Sequence, residues 1–89
     1  MEQNEVLEML QREIAGLEEE LSRRTAEWLR LKNDYERWRD ERRGEYGDSV
    51  ANDELECERA SSVHEYHALY ITPLEEQLRE KRENLKLFR

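Results

Sequence analysis

The chain has one proline, Pro73, and three glycines, Gly16, Gly44 and Gly47, so it offers few places where a helix must stop. It has one cysteine, Cys57, which cannot close an internal disulfide and fits a reducing, cytoplasmic setting. It has no apolar run near the length of a membrane span or a signal-peptide core, which excludes a membrane-inserted chain. Gly-rich phosphate loops, a Gly-x-Ser-x-Gly elbow and a nucleophile with an adjacent base are all missing, and with them the usual signatures of an enzyme. His64 and His67 stand one helical turn apart, but no second His or Cys cluster completes a metal site. They read as a solvated pair, with no metal or cofactor implied.

What is abundant is charge. Charged residues are 43% of the 89-residue chain and hydrophobic ones 36%, the composition of long helices bathed in solvent. The formal net charge of −8 excludes general affinity for duplex nucleic acid or anionic membrane. It is unevenly spread: residues 1–20 carry −6, 21–43 carry +3, 44–67 carry −6 and 68–89 carry +1. The middle of the chain is therefore an acidic zone beside a basic one.

Apolar residues recur through Leu7, Leu10, Ile14, Leu17, Leu21, Trp28, Leu31, Tyr35 and Trp38 in alternating steps of three and four. That heptad rhythm predicts one helix over 4–43, capped by Asn4 and ended by Gly44. Arg24 takes one seam position, where its stem can lie along the stripe while its charge reaches water. A second stripe runs Leu55, Arg59, Val63, Tyr66, Tyr70, Leu74, Leu78, Lys81, Leu85 and Phe88, predicting helices over 53–71 and 73–88. Asp53 and Glu56 have capping-box spacing at its start, and Thr72-Pro73 predicts a kink where a helix restarts.

Between the stripes lies the turn, 44–52, GEYGDSVAN. Folding the chain there pairs positions whose numbers add to about 98: Trp38 meets Arg59, Leu31 meets Tyr66, Trp28 meets Tyr70, Leu21 meets Leu78 and Leu10 meets Phe88. The expected fold is all-α, a single antiparallel two-helix coiled-coil hairpin over 1–89. Its seam is Leu17, Leu21, Trp28, Leu31, Tyr35, Trp38, Val63, Tyr66, Tyr70 and Leu78, with Trp38 and Arg59 in a cation–π contact. Two helices enclose little, so a protein partner is expected, or a second copy pairing into a four-helix dimer.

The run Glu45-Tyr46-Gly47-Asp48-Ser49-Val50-Ala51-Asn52-Asp53-Glu54, with Arg59 five positions on, resembles the hairpin tip of the bacterial Gre-type transcript-cleavage factors. Glu45, Gly47, Asp48, Asn52, Glu54 and Arg59 match that pattern without a gap, and Leu17 to Leu21, LEEEL, resembles the start of the family's first helix. The resemblance implies a hairpin whose tip enters the secondary channel of RNA polymerase, where tip acids help hold a catalytic Mg²⁺. Asp48 matches the first tip acid; the second falls at Ala51, and the family's globular C-terminal domain has no counterpart in these residues. Channel occupancy or inhibition is thus the implied activity, rather than stimulated cleavage. The partner-binding tip would be Glu45, Gly47, Asp48, Asn52, Asp53 and Glu54, with Arg37, Arg39, Arg42 and Arg43 as a basic flank. The alternative is a structural or adaptor coiled coil that does not touch polymerase.

Overall fold

The computed structural model describes residues 2–88. Helix α1 spans Glu2–Tyr46, α2 spans Glu54–Tyr66 and α3 spans Thr72–Lys86. A 3₁₀ turn, Gly47–Val50, follows α1, and a π-helical turn, His67–Ile71, joins α2 to α3. The molecule is an antiparallel helical hairpin measuring 67 × 16 × 16 Å, and among the described residues there is no strand. Its long axis is the length of α1, since 45 helical residues rise about 67 Å.

The two stripes face each other. Leu10, Ile14 and Leu78 form the buried cluster at the open end, with Leu17, Leu21 and Leu85 packed on it. Toward the tip the seam becomes aromatic and only half-buried: Trp28, Leu31, Tyr35 and Trp38 on α1 stand against Val63, Tyr66 and His67. Cations cover what the rings leave open. Arg59 lies 4.1 Å from the Trp38 ring centre and Arg42 lies 5.4 Å from it. Arg24, the seam's odd residue, lays its guanidinium 4.5 Å over the Tyr70 ring. Glu13–Lys81 at 2.7 Å and Glu18–Arg82 at 3.4 Å fasten the open end across the helices.

Helix boundaries depart from the sequence reading for local reasons. Asn4 lies inside α1 rather than at its start. Gly44 also lies inside α1; Gly47, with φ +73°, is the residue that leaves the helix. The left-handed turn that the loop requires is completed by Asn52, φ +57°, a residue type that tolerates it. At Thr72-Pro73 the helical backbone continues, and a widened turn accommodates the proline instead of a break. The N–H of Thr72 donates to the carbonyl of His67, five residues back, and the Thr72 hydroxyl pairs with His67 Nδ1 at 3.3 Å rather than capping α3.

That extra residue per turn rotates the seam. Ile71, absent from the expected stripe, is 3% exposed, and Tyr70 swings to the surface, where Arg24 covers it. His67 is not solvated either: its ring meets Trp28 edge-on at 4.9 Å, while His64 stays exposed. The Trp28 Nε1–H is buried there without an acceptor among the described residues.

Candidate functional tip

At the closed end the sequence brings two arginines at the end of α1 opposite two acids at the start of α2. Asp53 caps α2, its Oδ1 accepting the Glu56 N–H at 3.0 Å. The same carboxylate takes a two-pronged bond from Arg42, with Nη1 to Oδ1 at 2.9 Å and Nη2 to Oδ2 at 2.6 Å. Arg43 repeats the arrangement on Glu56, Nε donating to Oε2 at 3.2 Å and Nη2 to Oε1 at 2.6 Å. Glu56 Oε1 also accepts the Asn52 N–H at 3.1 Å. With both oxygens engaged, a carboxylate only 1% exposed is tolerated.

The electrostatics follow from these contacts. The Arg42 guanidinium, and then the Glu56 amide, pull the Asp53 carboxyl from an ordinary 3.8 down to about 2. Arg43 likewise holds the Glu56 carboxyl below its usual range, against the opposing cost of burial. Both arginines are raised, through their bonds to Asp53 and Glu56 respectively.

This clasp re-sorts the expected site. Asp53 is not offered to a partner; it is half-buried and spent on Arg42 and on the helix cap. Arg42 and Arg43 are not an outward basic flank, because both fork across the hairpin. Arg37 remains exposed beside Asp34 at 3.3 Å, and Arg39 pairs with Asp40 while lying 5.7 Å over Tyr35. Glu56 is the clasp residue that the expected tip omitted. The signal for it was present: the pairing that sets Trp38 against Arg59 also sets Arg42 and Arg43 against Asp53 and Glu56.

Glu45, Gly47, Asp48, Asn52 and Glu54 do stand exposed around the turn. The turn is held by its own backbone, Ala51 N–H to Asp48 carbonyl at 3.0 Å and Asp53 N–H to Val50 carbonyl at 3.2 Å, with the Ser49 hydroxyl on the Tyr46 carbonyl at 2.9 Å. The rod thus ends in a fixed loop displaying the carboxylates of Glu45, Asp48 and Glu54, with the acids behind them neutralised internally. Among the described residues no three His, Cys, Asp or Glu side chains converge as a metal cage. Among the same residues no helix is long and apolar enough to cross a membrane. No family model, curated protein or solved structure matches the chain.

Proposed function

We propose that this protein is a non-enzymatic, cytoplasmic binding rod whose acidic tip is its recognition end, and that the tip occupies the secondary channel of bacterial RNA polymerase in the manner of Gre-type factors. The observation that carries the reading is the sorting of charge at the closed end. Asp53 and Glu56 are consumed by Arg42 and Arg43, whereas Glu45, Asp48 and Glu54 project from a stalk 16 Å across. A rigid display of unpaired carboxylates on a narrow rod suits insertion into a confined, cation-bearing passage. Ala51 stands where the family carries its second acid, so occupancy that slows elongation or blocks access is the proposed effect.

The test is co-sedimentation with purified bacterial polymerase core, comparing wild type with the Glu45→Gln, Asp48→Asn double variant, followed by an elongation assay on a backtracking template. Wild-type binding and altered elongation, both lost in the double variant while its helix content is unchanged, is the expected result. Failure of the wild type to bind core polymerase overturns the proposal.

A further inference from the structure

The closed end carries one aromatic side chain that neither the seam nor the clasp uses. Of the two tryptophans and four tyrosines, all but Tyr46 are spent along the rod. Trp28 meets His67, Tyr35 meets Trp38 and Tyr66 meets Tyr70, while Arg59 lies over Trp38 and Arg24 over Tyr70. Tyr46 is 59% exposed, and among the described residues no ring or cation is stacked on it.

The backbone fixes where that ring stands. Tyr46 is the last residue of α1, and its carbonyl accepts the Ser49 hydroxyl at 2.9 Å. Gly47 beside it leaves the helix at φ +73°, and nothing lies within 4 Å of the point where a side chain there would begin. The ring is thus presented in open space from a rigid helix end. Burying it in a partner costs little ordering, since a tyrosine on fixed backbone has only two side-chain torsions to lose.

The surroundings complete the patch. Leu55, at the start of α2, is a second exposed apolar residue at this end. Glu45, Asp48 and Glu54, the acids the clasp leaves exposed, flank the two in sequence. An apolar centre within a charged rim is the anatomy of a protein-binding surface, and aromatic side chains are enriched among those that carry its energy. Rim charges chiefly steer the encounter and set its salt dependence; the desolvated centre sets how long the complex lasts.

We infer that Tyr46 is the anchor of the acidic tip, its ring entering an apolar pocket on a partner protein whose rim carries lysine or arginine side chains opposite Glu45, Asp48 and Glu54. The inference rests on the tip being the recognition end, as proposed above. It adds what carboxylates alone do not supply, a contact that salt does not screen.

The test measures the affinity of the full chain for bacterial core polymerase, free and stalled on a backtracked transcript, at low and at raised salt. Wild type is compared with Tyr46→Ala and Tyr46→Phe. The side chain is exposed, so the variants keep the hairpin, which circular dichroism and the urea midpoint check. Tyr46→Ala is expected to bind free core at least about tenfold more weakly, and Tyr46→Phe within about threefold of wild type. Raised salt should weaken all three while the ratio of wild type to Tyr46→Ala holds. Wild-type binding that Tyr46→Ala matches, or a deficit that vanishes at raised salt, overturns this inference and leaves the polymerase reading standing. A deficit as large in Tyr46→Phe would assign the contact to the hydroxyl, and one seen only with the transcript present would assign it to base stacking; each overturns the apolar pocket. A wild type that binds neither form of the polymerase overturns both readings.

Discussion

At the level of single residues, the most consequential side chains are two carboxylates that look like their neighbours. Asp53 and Glu56 sit in a run of acids, and composition marks the whole run as solvated. Capping-box spacing marks them as a helix start, and the register across the hairpin adds the rest by placing Arg42 and Arg43 within reach. Their acidity has a direct consequence for stability. Asp53 is held at about 2 against an ordinary 3.8, and Glu56 is also lowered, so the unfolded chain binds protons more readily than the folded one in acid. The stabilisation they give is therefore full above about pH 5 and is progressively lost as pH falls toward about 2. Thermal melts followed by circular dichroism should show the melting temperature dropping across that window. Asp53→Asn should melt lower at pH 7 and show a shallower drop. An unchanged pH profile in the variant would mean that the clasp contributes nothing to folding.

At the level of elements, the stripes on α1 and on the second arm were legible because period and partner agree. Leu17, Leu21 and Leu78 meet as the spacing requires, and Trp38 meets Arg59. The π turn was not legible. One additional residue in a helical turn changes the spacing of a stripe no more than ordinary drift does, so the spacing alone points to Tyr70 for a seam position that Ile71 fills. The end of α1 is ambiguous in the sequence for a different reason: Gly44 and Gly47 are the same residue type, and only the backbone tells them apart. Neither would meet anything within 4 Å if given a Cβ, so conformation alone decides the effect of alanine. Gly44 is helical, and Gly44→Ala should stabilise by about 0.5–1 kcal/mol. Gly47, at φ +73°, should lose about 1–2 kcal/mol on the same change. Urea titration of the two variants reads the opposite signs; equal signs would place the turn elsewhere.

At the level of the whole molecule, the hairpin is a rod with a polar, ion-paired surface and a core confined largely to its open end. Its Cα radius of gyration is 19.6 Å, where a compact chain of this length has about 12 Å. Small-angle scattering extrapolated to a concentration below any self-association should give a maximum dimension near 67 Å. A single continuous helix of the described residues would instead reach about 130 Å. The two ends also differ in how they form. The clasp joins residues 11 and 13 apart in sequence, whereas the open end joins Glu18 to Arg82, 64 apart. Closing the short loop costs far less chain entropy than closing the long one directly. The folding path therefore has a direction: the tip closes first, each further pair then adds only a short increment of loop, and the chain zips toward its termini. Lesions in the clasp would slow that nucleation, and lesions near Leu78 would chiefly speed the unzipping.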